Sequence, residues 1–241
     1  MDLHIDNIVP PPDNEVHVWC TKLNRLARPL EALRQVLSED EQQRAAKFHF
    51  RRDCDRFVAA RGLLRILLQC YTGVDAAALR FCYNEFGKPA LASGRNDVRF
   101  NISHSHDAAA LFAIAKGSNV GVDIERIRPR FANEQIAEQF FSESEVRALR
   151  ALPAELQPEG FFNCWTRKAA YIKARGDGLS LPLRDFDVSL KPGEPARLLR
   201  HAQSPELARW TLQALSVPGG YVAAIAVENK GRIVRWQMLE P

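Results

Sequence analysis

Twice along this 241-residue chain a long amphipathic helix is written and then stopped at a glycine. From Arg52 to Tyr71, the apolar positions Phe57, Val58, Ala60, Leu64, Leu67, Leu68 and Tyr71 recur at helical spacing, and Thr72-Gly73 ends the run. A second such helix is predicted over Phe161 to Ala174, stopped by Gly176, with Gly178 just beyond. The segments AAALFAIAKG (108–117) and YVAAIAVENKG (221–231) look alike. Each would close a half built from one long helix and a small antiparallel sheet. The expected fold is therefore α+β, a pseudo-dimer of two similar halves at residues 1–118 and 119–241. Clefts between such lobes are common places for ligands.

Shorter elements fill in both halves. Val16–Leu23, Leu79–Tyr83, Ala109–Ala115, Val120–Ile124, Phe186–Leu190 and Gly220–Val227 read as strands. Ser38-Glu39-Asp40-Glu41 is a capping signal, and Ser142–Leu149 a short helix. Asn84–Pro89 reads as a loop and Phe100–His106 as a polar turn. Composition excludes some function classes. With 46% hydrophobic and 26% charged residues, the chain has the make-up of a soluble globular protein. No stretch approaches the roughly 18 unbroken apolar residues of a membrane span. The N-terminus, with early acids and prolines, does not read as a secretory signal. Five scattered cysteines without a C-x-x-C suit a reducing cytoplasm better than a disulfide framework or zinc site. A net charge of +4 suggests an anionic ligand or acidic partner. Because basic residues are interleaved with acids, it does not point to nucleic acid.

Four features carry chemistry. In Val120-Gly121-Val122-Asp123-Ile124-Glu125, strand alternation puts Asp123 and Glu125 on one face, roughly 7 Å apart, within reach of one hard cation such as Mg²⁺. The alternative is an exposed acidic strand face. The helix WTRKAAYIKAR (165–175) carries Lys168 and Lys173, about 140° apart around the axis, whose flexible stems could converge on one polyanion. The alternative there is a solvated basic face. The segment FNISHSH (100–106) offers donors to an anion, with Ser103 and His104 foremost. A catalytic triad using Asp107 lacks a nucleophile elbow, and a zinc pair from His104 and His106 lacks further ligands. Lys88 sits in a Gly-Lys-Pro loop with Pro89, near the arginines of the first long helix: Arg52, Arg56, Arg61 and Arg65. Gly62 inside that helix suggests close approach of another segment.

In order, ARGLLR, the G-K-P loop, FNISHS, GVDIE, FFSESE, the W-T-x-K…K helix and GLSLPL (178–183) resemble the Sfp-type 4′-phosphopantetheinyl transferases over roughly residues 44 to 190. That resemblance implies a monomer with a pseudo-dimeric fold and coenzyme A in its cleft. It implies that Lys88, Pro89, Ser103 and His104 grip the 3′-phosphate and adenosine end, with Arg52 and Arg61 as further contributors. It also implies that Asp123 and Glu125 hold Mg²⁺, or Mn²⁺, against the pyrophosphate, with Lys168 and Lys173 balancing charge. A serine of an acyl or peptidyl carrier protein would then be modified and 3′,5′-ADP released, the carrier docking near Leu179 to Phe186. No membrane or nucleic-acid partner is implied.

One position departs from the family pattern. The helix normally reads W-x-x-K-E, and Ala169 stands where that catalytic Glu, a third metal ligand and general base, is expected. Impaired transfer is the expectation. Three accounts stay open: a deliberate substitution, a natural variant working with two carboxylates plus water, and a paralogue that binds coenzyme A or carrier protein without catalysis.

Overall fold

The computed structural model describes residue 8 and residues 11–23, 28–92, 97–105, 109–132, 134–203, 205–217, 219–229 and 231–239. Both long helices form where the apolar spacing puts them. Helix α3 spans Arg51–Thr72 and α6 spans Gln157–Arg175; Gly73 and Gly176 end them at φ 69° and 83°, left-handed caps that glycine takes without strain. Before α3 come β1 (Glu15–Lys22), α1 (Leu30–Gln35) and α2 (Glu39–Ala46). After it come β2 (Phe81–Tyr83), β3 (Pro89–Leu91), β4 (Val98–Ser105) and β5 (Ala109–Lys116). The second half runs β6 (Val120–Arg126), α4 (Glu134–Phe140), α5 (Glu143–Arg150), α6, β7 (Phe186–Val188), β8 (Leu198–His201), α7 (Pro205–Arg209), β9 (Trp210–Leu215) and β10 (Tyr221–Glu228). The last strand is β11 (Ile233–Met238).

The two halves share one plan. In the first, β1 and β4 flank β5; in the second, β6 and β9 flank β10, all antiparallel. A strand, a long helix and a closing hairpin thus occur twice. The sheets stack on their inner faces through Val16, Val18, Leu111 and Ala113 from one, and Val122, Ile124, Ile225 and Val227 from the other. On the outer faces, α3 packs over Trp19, Phe100 and Phe112, while α6 packs over Ala224, Ala226 and Leu212. The expected antiparallel sheet holds in the second half. In the first, β11 crosses back from the C-terminus and pairs parallel with β1, so that sheet is mixed. Gly62 does admit another segment: a Cβ there would lie 2.7 Å from the Leu33 carbonyl oxygen of α1.

The repeat extends to a buried ionic device. Capping boxes open α2 at Ser38/Glu41 and α5 at Ser142/Glu145. In each, the glutamate also receives a basic side chain from the long helix: Arg65 Nε on Glu41 at 2.6 Å, and Lys168 Nζ on Glu145 at 2.9 Å. Among the described residues no helix is long and apolar enough to cross a membrane.

Candidate active site

Strand β6 presents Asp123 and Glu125 on the face opposite Val120, Val122 and Ile124, as alternation requires. Helix α6 covers that face, and it fits because residue 121 is glycine. A Cβ at Gly121 would stand 2.3 Å from both the Ala170 carbonyl oxygen and the Ala174 amide nitrogen. Asp123 is only 5% exposed, so the alternative of an exposed acidic face does not hold for it. Gly121→Ala is expected to push strand and helix apart, at the upper end of the about 1–3 kcal/mol that overpacking costs. Chemical unfolding measures this, and a loss below about 0.5 kcal/mol, ordinary for a surface change, would contradict the close contact.

Lys173 closes over the acidic pair. Its Nζ donates to Asp123 Oδ1 at 2.6 Å, to Ser103 Oγ at 3.1 Å and to the Val122 carbonyl at 3.3 Å. The Ser103 hydroxyl donates to Asp123 Oδ1 at 2.9 Å and accepts from the Ile124 amide at 3.4 Å. One donor and two lone pairs are then all in use, so the phosphate contact the resemblance implies would have to replace one of these bonds. The other oxygen, Asp123 Oδ2, is buried and has no hydrogen-bond partner among the described residues. An unpartnered buried carboxylate oxygen is costly, and a hard cation is a partner that suits it. Beside it, Glu125 Oε2 accepts from Ser105 Oγ at 2.8 Å. Burial pushes the Glu125 carboxyl above its usual range, opposed by that Ser105 bond and helped by the nearby Asp123 charge.

Segment 100–105 is not a turn. It is the body of β4, paired with β5 from Val98 to Ser105. Phe100 and Ile102 face the α3 core, whereas Asn101, Ser103 and Ser105 face β6. His104 shares the parity of Phe100. Desolvation, with the positive charges of Lys173 and Arg56, holds its imidazole below the usual histidine range. His106 and Asp107 lie outside the described residues.

Lys88 bridges the halves. Its Nζ donates to the Ala174 carbonyl at 2.5 Å and reaches the Val120 carbonyl at 3.5 Å, while Asn84 Nδ2 donates to the Gly176 carbonyl at 2.7 Å. Burial pushes the Lys88 ammonium down to about 8. Pro89 begins β3 directly behind it. Between this loop and α6 lies a cavity of 210 Å³ lined by Phe86, Lys88, Pro89, Asn101, Ile172 and Lys173. Larger cavities of 730 and 560 Å³ open around α5 and β7; Ser142 and Glu143 of the FFSESE motif and Arg184 line the first and Glu145 the second, but neither holds Lys88, Ser103, His104, Asp123, Glu125 or Lys173.

Three expected contributors have partners outside the acidic pair. Lys168 is 1% exposed and turned away from Lys173. Besides Glu145, it donates to the carbonyls of Leu183 at 2.7 Å and Phe186 at 2.5 Å. The angular separation keeps the two lysines apart, and a buried carboxylate claims the first. Arg61 is held by Glu41 at 2.5 Å and by the Tyr83 hydroxyl, and Arg52 is 70% exposed beside Asp53. Arg56, one turn beyond Arg52, is the arginine that acts on His104. Ala169 is half-buried one turn before Lys173 and adds no polar group. Among the described residues no cluster of three His, Cys, Asp or Glu side chains could hold a metal, so the acidic pair stands without a third carboxylate. Sequence reasoning named Asn101 and Ser105 only as members of a polar turn and Arg56 only among the arginines of the helix; it missed that Asn101 and Ser105 face β6, for which their alternate spacing was the available signal.

Known proteins are similar to this sequence. Residues 119–226 match the family profile described as the 4′-phosphopantetheinyl transferase superfamily, and residues 25–116 that described as 4′-phosphopantetheinyl transferase, N-terminal. The 4′-phosphopantetheinyl transferase HetI of Nostoc sp. is 38% identical over 237 residues, covering 95% of each chain. The 4′-phosphopantetheinyl transferase Sfp of Bacillus subtilis is 30% identical over 200 residues, covering 83% of this chain and 85% of its own. The 4′-phosphopantetheinyl transferase gsp of Aneurinibacillus migulanus is 36% identical over 150 residues, 62% of this chain and 60% of its own. With both halves matched and a relative aligned almost end to end, the chain belongs to the 4′-phosphopantetheinyl transferases of the Sfp type.

Proposed function

We propose that the chain transfers the 4′-phosphopantetheine arm of coenzyme A to a serine of an acyl or peptidyl carrier protein, releasing 3′,5′-ADP, and that Ala169 slows this transfer. The observation that carries the reading is the Asp123 carboxylate, one oxygen neutralised by Lys173 and the other buried without a partner, beside Glu125. A negative pair roofed by a lysine suits a cation and a diphosphate together. Asp123 Oδ2 and Glu125 are the groups that would hold Mg²⁺ or Mn²⁺; bound there, the ion would neutralise charge on the diphosphate.

The chain's own residues do the rest. Phosphoryl-type transfer asks a protein for positioning and charge stabilisation more than for covalent help. Lys173, with its side chain 34% exposed, is accessible from the cavity and can share its charge between Asp123 and an incoming phosphate. Lys88 and Pro89 form one wall of that cavity, and His104 with Arg56 adds positive potential once an anion raises the imidazole's affinity for a proton. Leu179, 74% exposed just after α6, offers an apolar contact to a carrier protein close to the cleft. The reading has the chain act as a monomer in the reducing cytoplasm, where its described cysteines stay free.

Lys88 Nζ reaches both Val120 and Ala174, and Gly121 lies between Ala170 and Ala174. Strand β6 therefore runs antiparallel to α6, and its Glu125 end heads toward the turn that holds Ala169. A glutamate at 169 would add a third carboxylate there and a base for the attacking serine. Ala169→Glu is expected to raise the rate by about 10²-fold or more, the usual worth of general-base catalysis. Intact mass spectrometry of an apo carrier protein with coenzyme A and Mg²⁺ reads it. Equal rates with and without the glutamate would remove any role for the position. No modification by either version would replace the transferase reading with that of a coenzyme A-binding paralogue.

A further inference from the structure

Strand β6 is an edge of its own sheet, so the amides of Val122, Ile124 and Arg126 have no neighbouring backbone ladder on that side. They are satisfied by side chains of β4 instead. Val122 N donates to Asn101 Oδ1 at 2.9 Å, Ile124 N to Ser103 Oγ at 3.4 Å and Arg126 N to Ser105 Oγ at 3.2 Å. Three alternate residues of one strand thus meet three alternate amides of the other, a ladder of side chain to backbone in strict two-residue register. This is why the inward face of β4 is polar, although the inward faces of β1 and β5 are apolar.

Two of the three rungs do more. Each serine accepts from one amide and donates to the carboxylate of the residue before it, Ser103 to Asp123 and Ser105 to Glu125, at 2.9 and 2.8 Å. Asn101 touches the backbone alone in this ladder; the residue before its amide is Gly121, which has no side chain to hold.

We propose that β4 is a positioning template for the acidic pair: Ser103 and Ser105 act as positioning residues that fix the separation and orientation of Asp123 and Glu125 from the other half of the molecule. The inference rests on the proposed role of this pair in cation binding. Each hydroxyl fixes one carboxylate oxygen, Oδ1 of Asp123 and Oε2 of Glu125, and does not engage the other. The site is then built across the junction of the halves, and neither half carries it alone. Ser105 is the cleaner test, because Ser103 also contacts Lys173.

Mn²⁺ binding to the full chain, followed by electron paramagnetic resonance with and without coenzyme A, tests the proposal. Ser105→Ala is expected to weaken Mn²⁺ affinity by about 10-fold or more, the usual cost of removing a group that orients a ligand. Ser105→Thr, which keeps the hydroxyl, is expected to restore it. Asn101→Ala removes a rung with no carboxylate and, because Asn101 also lines the cavity, is compared without coenzyme A, where it is expected to leave Mn²⁺ affinity in place. Undiminished affinity in Ser105→Ala, or equal weakening in Asn101→Ala, overturns the template in favour of a general structural ladder. If the unsubstituted chain binds no Mn²⁺ under either condition, the cation reading itself fails and the inference falls with it.

Discussion

Glu41→Ala is expected to lower the unfolding free energy by about 3–5 kcal/mol, the cost of stripping the counter-charge from a buried ion pair. Glu41 is 1% exposed and holds Arg65 Nε at 2.6 Å and Arg61 Nε at 2.5 Å, and the Arg65 side chain is itself 1% exposed. Without the carboxylate, a guanidinium that also donates to the Ala76 and Leu79 carbonyls stays buried and uncompensated. The capping box of α2 is lost in the same step, because the Ser38 amide donates to Glu41 Oε2. Urea unfolding should show a lower midpoint with an unchanged slope. The internal repeat adds a second arm: Glu145→Ala should destabilise comparably, since Glu145 pairs with Lys168 and accepts from the amides of Ser142 and Val188. A loss below about 1 kcal/mol at both positions, the range of exposed pairs, would refute the ionic device as a shared structural core of the halves.

That device shows where sequence reasoning stops. SEDE at 38–41 and SESE at 142–145 are both plain capping boxes in the sequence. Capping is local, and a local pattern is legible. The long-range partners, Arg65 and Lys168, lie 24 and 23 residues further on. Nothing in the spacing distinguishes Lys168 from Lys173, five positions later on the same helix. Burial separates them: one meets a glutamate from α5, the other an aspartate from β6. The helices themselves were legible because a 3.6-residue apolar period survives any packing partner. The acidic face of β6 was legible for the same reason, since alternation assigns Asp123 and Glu125 to one side whatever covers it.

Strand β4 was misread because its chemistry serves another strand. Asn, Ser and His disfavour strands and favour turns when judged alone. In the fold they occupy inward positions where β6 exposes bare amides, so polarity is what packing demands there. Strand β11 was missed because it pairs with β1 across more than 200 residues, at an edge where half of its side chains are exposed and the alternation is weak. The arginines of α3 are equal in type in the sequence, and only the placement of His104 on β4 shows that the Arg56 charge bears on its imidazole.

Asp123→Asn, made in the Ala169→Glu chain so that the rate is high enough to measure, is expected to lower carrier modification by about 10²–10³-fold. That is the cost of deleting one preorganised electrostatic group from an active site. The exchange is nearly isosteric. The amide oxygen can still accept from Ser103 Oγ and Lys173 Nζ, which meet at Oδ1, so strand and helix should keep their packing. What changes is the second position. In place of the unpartnered Oδ2 stands an NH₂ group, which repels a cation and lacks the charge to attract one. If the orphan oxygen matters to the transition state, kcat should fall with little change in KM for the carrier protein, whose proposed contact at the exposed Leu179 is not altered by the exchange. A rate within about threefold of the parent would show that the oxygen is spare. The roles now given to Asp123 and Lys173 would then have to be exchanged, with the lysine as the working group and the aspartate as its anchor.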